Sequence, residues 1–211
     1  YIPVPFNAPL FIMFSSGTTG MPKCIVHGVG GTILQHLKEH QLQSDILPED
    51  RLFYFTTCGW MMWNWMISGL ASQATLVLYD GNPFYTTPDL LRHLCADERL
   101  THFGSSAKYF DSCAKADVCP VNAQDFSNLR VILSTGSPLA AKGFDYIYAS
   151  WKQDVCLSSV AGGTDIIACF FGGNPIGPVY RGQCQKRELG LNVRTYNDEG
   201  ASVEGESGEL V

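Results

Sequence analysis

The stretch Ser15-Ser16-Gly17-Thr18-Thr19-Gly20-Met21-Pro22-Lys23 separates two short apolar runs near the start of the chain. These runs, residues 10–15 and 24–28, have the length and composition of strands and are predicted to pair. Gly17 and Gly20 lack a Cβ atom, so the backbone between the runs can bend sharply and approach a ligand. The sequence therefore predicts a ligand-binding loop held between two strands.

The same loop has the chemistry of an anion site. Successive backbone N–H groups in a glycine-rich turn can point at one anion, hydroxyl groups add donors, and Lys23 adds positive charge. This combination favours a polyphosphate, although the Gly-x-x-Gly spacing and the proline before Lys23 differ from a Walker A loop. The alternative is a solvated surface loop. The candidate phosphate-binding residues are Ser15, Ser16, Gly17, Thr18, Thr19, Gly20 and Lys23.

The composition is that of a well-buried globular chain. Of the 211 residues, 45% are hydrophobic and only 16% are charged, which argues against disorder. The net charge of −6, without a basic cluster, argues against nucleic acid as a partner. Residues 52–79 carry no charge, but polar residues and glycines interrupt this run too often for a membrane span.

The eight cysteines form no Cys-x-x-Cys pair and lie mostly inside apolar runs. This pattern indicates small buried thiols in a reducing compartment, hence the cytosol, and gives no support to a zinc site. The chain does not begin with Met and ends inside a predicted strand, so we expect a fragment of a longer protein. His27, His36 and His40 are interpreted as core or surface residues.

Strands alternate with helices between residues 52 and 159, which predicts an α/β fold. Crossover units of this kind form a mostly parallel sheet with helices on both faces. From residue 166 onward the sequence becomes glycine-rich and strand-like. The predicted strands cover residues 53–57, 75–79, 102–105, 130–134 and 155–159.

Three further segments carry candidate site residues. Ala161-Gly162-Gly163-Thr164-Asp165 directly follows a predicted strand, where α/β folds place ligands, and Asp165 offers a carboxylate suited to Mg²⁺. Gly136, Ser137 and Pro138 follow another strand, and their backbone can meet an adenine edge. Trp60 lies in an aromatic-rich stretch, residues 57–65. Each segment also has a purely structural alternative. Residues 161–165 would then be a Gly-Gly turn with a capping Asp, residues 136–138 an ordinary strand-to-helix turn, and residues 57–65 a core helix.

Together these segments resemble the adenylate-forming superfamily, and most closely its acyl-CoA synthetases that activate acetoacetate. The matching strings run through nearly the whole chain: residues 14–24, 36–40, 59–65, 78–81, 132–139, 162–167 and 205–210. The resemblance implies the N-terminal domain fold of that superfamily. It also implies ATP, Mg²⁺ and coenzyme A, and no membrane span.

The resemblance assigns roles to residues. The phosphate loop, residues 15–23, would hold the β- and γ-phosphates of ATP, and Gly136, Ser137 and Pro138 would bind adenine. Lys23 and Thr164 would act in catalysis, with Gly163 beside the nucleotide and Asp165 at the metal. Trp60 would form a wall of the acyl pocket. Gly162 stands where acetate-specific relatives carry Trp, which would leave room for a longer acyl group.

The implied reaction joins acetoacetate to coenzyme A through an acyl-adenylate, with release of diphosphate and AMP. Residues 1–211 would be part of the AMP-binding domain, with an upstream part and a C-terminal lid outside the chain. We therefore expect little activity from the segment alone. Two alternatives stay open: a synthetase for another short or medium-chain acid, and a nucleotide-binding module without catalysis.

Overall fold

A β-hairpin opens the chain in the computed structural model, which describes residues 2–15, 20–118 and 125–211. Strands β1 (Pro9–Ser15) and β2 (Lys23–Gly28) pair antiparallel, with Ser15 opposite Lys23. The predicted strand pair around the phosphate loop is thus confirmed. Helix α1 (Val29–Lys38) follows at once and continues as a π-helical turn, Glu39–Gln43.

Five parallel strands form the central sheet, in the spatial order β4-β3-β5-β6-β7. The strands are β3 (Arg51–Tyr54), β4 (Thr75–Leu76), β5 (His102–Ser106), β6 (Val131–Thr135) and β7 (Cys156–Ser159). The helices between them are α2 (Met61–Ile67, extended by a 3₁₀ turn over Ser68–Ser72), α3 (Leu90–Asp97), α4 (Ala107–Lys115) and α5 (Ala141–Ser150). The α/β prediction is confirmed, although β4 is shorter than the predicted 75–79.

Helices cover both faces of the sheet because successive strand residues point to opposite sides. Phe53 of β3 packs in one buried cluster with residues of α3, α4 and α5. Its neighbours Leu52 and Tyr54 pack in a second cluster with residues of α2. None of the helices in the described part of the chain combines the length and apolar character that crossing a bilayer requires.

The last part of the chain is rich in antiparallel strands, as predicted. Strands β8 (Ala161–Gly163), β9 (Ala168–Gly172) and β10 (Lys186–Arg187) form one small sheet. Strands β11 (Thr195–Tyr196), β12 (Ser202–Val203) and β13 (Glu209–Leu210) form another. Because β8 begins two residues after β7 ends, the first small sheet starts at the carboxyl edge of the parallel sheet.

Two glycine substitutions test the packing of this fold. Gly104 of β5 faces Tyr54 across the strand pair, and a Cβ atom there would lie 2.1 Å from the Tyr54 ring. We expect Gly104→Ala to lower the free energy of unfolding by about 1–3 kcal/mol, through overpacking. Gly31 of α1 has open space around it, so Gly31→Ala should raise that free energy by about 0.5–1 kcal/mol. Urea unfolding of both variants measures this, and equal midpoints would contradict it.

Candidate functional site

Three of the predicted segments line one cavity of about 380 Å³ at the carboxyl edge of the parallel sheet. The sequence-predicted residues on its wall are Trp60, Gly136, Ser137, Pro138, Gly162, Gly163 and Thr164. They come from the loops after β3, β6 and β7, which end at the same edge because the strands are parallel. Sequence reasoning missed Met61, Met62, Cys169 and Cys184 on the same wall, since methionine and cysteine in apolar runs indicate core positions, and it also missed Thr135 at the end of β6.

A second cavity, of about 710 Å³, adjoins the first and runs along β1. Ser15 and Asp165 line this second cavity, and Trp60 and Thr164 line both. The start of the phosphate loop and the candidate metal ligand therefore face one space. The structure thus brings together candidates that lie 150 positions apart in the sequence, such as Ser15 and Asp165.

The phosphate loop is described only at its two ends. Ser15 closes β1, and Lys23 opens β2 directly opposite, with Lys23 and Gly20 both exposed. Within the described ranges, no ion pair involves Lys23. Ser16, Gly17, Thr18 and Thr19 lie outside the described residues.

The turn after β6 exposes its backbone to the first cavity. Gly136 has a φ of +86°, a left-handed conformation that favours glycine, and α5 begins only at Ala141. Ser137 and Pro138 therefore belong to the turn between β6 and α5 and precede the helix. The Thr135 hydroxyl donates to the Val160 carbonyl at 2.7 Å and ties this turn to the end of β7.

The packing around Gly162 gives a reason for glycine at this position other than room for a longer acyl group. A Cβ atom on Gly162 would lie 2.2 Å from the Ala168 carbonyl oxygen and 2.7 Å from the Cys169 Cα atom. These atoms belong to β9, which pairs with β8 at this point. Glycine is required here by the close approach of two strands, so the missing side chain is not simple free room for a longer acyl group.

The aromatic stretch divides into wall and core. Trp60 precedes α2 and is 69% exposed, consistent with a cavity wall. Trp65 and Met66, one helical turn further, are buried against the central sheet. The core interpretation thus holds for most of the helix, while Trp60 is free to meet a ligand.

Three side chains from β2, α1 and the turn after it hold the segment that carries Thr164 and Asp165. His27 Nε2 lies 2.9 Å from the Thr164 carbonyl oxygen, and His36 Nε2 lies 2.9 Å from the Ile167 carbonyl oxygen. The Glu39 carboxylate accepts the Cys169 N–H at 3.0 Å. Sequence reasoning interpreted these histidines only as core or surface residues; His36 and His40 are fully buried, and the long-range contacts were not predicted.

Burial lowers the pKa of His36 to about 4, although its hydrogen bond with the Ile167 carbonyl opposes the shift. The ring is therefore neutral near pH 7. Because a carbonyl only accepts, Nε2 carries the proton and donates to Ile167. The other nitrogen, Nδ1, lies 2.8 Å from the Ser68 hydroxyl oxygen.

Two buried carboxylates, Glu39 and Glu188, lie close to Cys169, which lines the first cavity. Glu39 accepts N–H groups from Gln35, Cys169 and Trp65, at 2.8, 3.0 and 2.9 Å. Glu188 accepts from the Lys38 ammonium at 3.1 Å. Burial and the nearby Glu39 charge raise the pKa of Glu188 to about 7, although Lys38 opposes this.

Glu39, Glu188 and Cys169 place possible metal-ligand atoms within 4.8 Å of one another. Both Glu39 oxygens are already occupied by N–H donors, and the Lys38 ammonium already compensates Glu188. This cluster therefore serves structure, since it joins α1 and the turn after it to β9. Asp165, exposed at the second cavity, remains the candidate with free coordination capacity.

Comparison with known proteins identifies a family and similar enzymes for this chain. The profile of the family described as AMP-binding enzyme matches residues 2–211. An acetoacetyl-coenzyme A synthetase from Rhizobium meliloti is 56% identical over 99% of this chain, which spans 32% of that protein. A malonamoyl-CoA synthetase from Penicillium aethiopicum is 47% identical over 100% of this chain and 31% of its own length.

A solved structure is also similar. The acetoacetyl-CoA synthetase from Streptomyces lividans superposes with a TM-score of 0.92 at 40% sequence identity. The match covers 100% of this chain and 33% of that structure. The chain thus spans about a third of the length of the relatives that it matches.

The buried carboxylates predict an unusual pH dependence. The pKa of Glu188 is raised from its ordinary 4.5 to about 7, so its contribution to stability is present below pH 4.5 and declines as the pH rises to 7. In Glu188→Gln this decline disappears. The free energy of unfolding of the variant, relative to the parent, should therefore increase between pH 4.5 and 7, by at most about 3 kcal/mol. Urea unfolding at several pH values measures this difference.

Asp145→Asn is the matched control. The hydrogen bond from Arg181 holds the pKa of Asp145 below its ordinary 3.8, so this group changes stability only at lower pH. If the difference in free energy of unfolding between Glu188→Gln and the parent stays constant from pH 4.5 to 7, burial does not raise the pKa of Glu188 as stated.

Proposed function

Because this chain belongs to the AMP-binding enzyme family, we propose that it supplies the nucleotide site of an ATP-dependent acyl-CoA synthetase whose acid is acetoacetate. One observation carries this proposal. The turn after β6, Trp60 and the Gly162–Thr164 segment line one cavity, which opens beside Ser15 and Asp165. A nucleotide with a long phosphate chain needs a base site and an anion site in line, and these two cavities offer both.

The proposed roles follow the chemistry of each group. The backbone of Gly136, Ser137 and Pro138 faces the adenine, and Gly163 allows the nucleotide to approach. The residues of the phosphate loop, Ser15 to Gly20, bind the β- and γ-phosphates, and Lys23 neutralises their charge. Thr164 offers its hydroxyl to phosphate or substrate. Asp165 would hold Mg²⁺, which supplies charge neutralisation at the phosphates when bound.

The first step brings two anions together, the carboxylate of the acid and the triphosphate. The carboxylate oxygen attacks the α-phosphorus, diphosphate leaves, and an acyl-adenylate forms. The site accelerates this step by orienting the carboxylate and by offsetting negative charge with Lys23 and loop N–H groups. The coenzyme A thiolate then attacks the acyl carbon, and AMP leaves.

The substrate assignment rests on two relatives. Acetoacetate and malonamate both carry a second carbonyl group β to the carboxylate, with a methyl or an amino group beyond it. Relatives named for each share 56% and 47% identity with this chain. We therefore propose acetoacetate, and keep a related short β-carbonyl acid as the second candidate.

We also propose a cytosolic location. It is supported by the cysteines, which are all free among the described residues and include buried Cys95, Cys113 and Cys169. The absence of a basic cluster supports small molecules, not nucleic acid, as partners.

Acid-dependent ATP–diphosphate exchange tests the function. We expect the longest natural polypeptide containing this chain to exchange with acetoacetate and, more weakly, with malonamate. Butyrate, which has the same chain length but no β-carbonyl, should give at least about tenfold less exchange if that carbonyl is bound. Preference for butyrate or octanoate would keep the reaction and discard the substrate. No exchange with any acid would favour a non-catalytic nucleotide-binding module.

Lys23→Ala tests the phosphate loop. Loss of the ammonium leaves the triphosphate charge less compensated, so kcat/KM for ATP in the exchange assay should fall on the order of 10²-fold. Lys115→Ala removes an exposed lysine in the last turn of α4 and should leave the rate unchanged. Unaltered KM for ATP and unaltered rate in Lys23→Ala would exclude the role of Lys23.

A further inference from the structure

We propose that His27 is a positioning residue for adenylation, which donates its Nε2–H to the Thr164 carbonyl and thereby sets β2, with Lys23 at its start, relative to Asp165. The inference rests on the function proposed above. It adds a residue that lies in neither cavity wall and acts only through the backbone of another segment.

The contact is specific in its geometry. His27 is 9% exposed on β2, and its Nε2 lies 2.9 Å from the Thr164 oxygen, across 137 residues of sequence. A carbonyl oxygen can only accept, so the bond places the ring proton on Nε2. The Thr164 carbonyl and the Asp165 N–H belong to one planar peptide unit. A bond to this oxygen therefore restrains the orientation of the peptide that joins Thr164 to Asp165.

The turn that carries these residues needs restraint from outside. Ile167 has a φ of +48°, a left-handed conformation that β-branched residues rarely adopt. Inside the turn, the Ile167 N–H reaches the Thr164 carbonyl only at 3.3 Å. Two histidines hold the turn from outside, His27 at the Thr164 carbonyl and His36 at the Ile167 carbonyl.

The two histidines differ in what they connect. His36 lies on α1 and joins the end of the turn to Ser68, away from the cavities. His27 lies four residues after Lys23 on the same strand. An extended strand advances about 3.3 Å per residue, so β2 acts as a short spacer between Lys23 and the Thr164–Asp165 peptide. Among the described residues, His27 alone links the strand that begins at Lys23 to the backbone beside the candidate metal ligand by a side-chain hydrogen bond.

The separated half-reactions test this assignment on the longest natural polypeptide that contains the chain. Adenylation is followed by ATP–diphosphate exchange, and thioester formation by adding coenzyme A to the chemically prepared acyl-adenylate. The Lys23–Asp165 geometry matters only while the triphosphate is present. We therefore expect His27→Leu to lower kcat/KM for ATP about 10- to 100-fold and to raise the Mg²⁺ concentration for half-maximal exchange several-fold. Thioester formation should stay within about twofold of the parent.

His27→Gln is the conservative variant, because its amide nitrogen can reach a position close to Nε2 and donate. His27→Asn is shorter and cannot. We expect His27→Gln to restore most of the exchange rate and His27→Asn to behave like His27→Leu. If His27→Leu does not fold, the comparison of His27→Gln with His27→Asn tests the proposal. Equal loss in both half-reactions, normal Mg²⁺ dependence in all variants, or no difference between Gln and Asn would overturn the proposal. Absence of exchange in the parent protein would instead overturn the proposed function, and this inference with it.

Discussion

The buried Glu39 carboxylate is the interaction on which the arrangement of this chain depends. A charge that is 2% exposed is costly unless donors surround it, and Glu39 accepts N–H groups from α1, from Trp65 of α2 and from Cys169 of β9. Helix α1 follows the N-terminal hairpin, α2 covers one face of the parallel sheet, and β9 belongs to the first small sheet of the C-terminal part. One carboxylate therefore joins parts that are 130 residues apart in sequence. Removing any donor would leave a buried charge partly unpaired, so the three elements hold one another in place.

The candidate site follows from this arrangement and from the parallel sheet. Parallel strands bring the loops after β3, β6 and β7 to one edge, and these loops line the first cavity. The hairpin of β1 and β2 is not part of that sheet, so it needs its own links to the edge. His27 of β2 supplies one by its bond to the Thr164 carbonyl, and His36 of α1, the helix that directly follows the hairpin, bonds the Ile167 carbonyl. The site thus lies where the hairpin meets the carboxyl edge of the parallel sheet, with Trp60, Met61 and Thr164 common to both cavities.

The turn after β8, which contains the strained residue Ile167, is also held by contacts from distant parts of the chain. Ile167 adopts a conformation that its own side chain disfavours, and it persists because His36 from outside the turn holds its carbonyl. Gly162 is similarly dictated by its neighbours, since β9 leaves no space for a side chain. The two residues flank Thr164 and Asp165, so the position of both candidate ligand-binding side chains is set by backbone constraints on either side.

The sequence by itself determined the order and type of the main elements and the three loops of the first cavity. The spacing of apolar residues in strands and helices is a local property. Turns rich in glycine, proline and hydroxyl residues at strand ends can likewise be recognised without knowing which distant residues they contact. It also placed the helix of Trp65 in the core, because this uncharged stretch is almost entirely apolar and rich in aromatic residues. Only the tertiary structure decided that Gly162 is needed for strand packing, that α5 begins at Ala141 and that Cys169 and Cys184 line the cavity. It alone showed that His27, His36 and Glu39 hold the Thr164–Cys169 segment. The physical reason is the same in each case: these properties depend on atoms that are distant in sequence, and a residue type does not encode which distant backbone group it will meet.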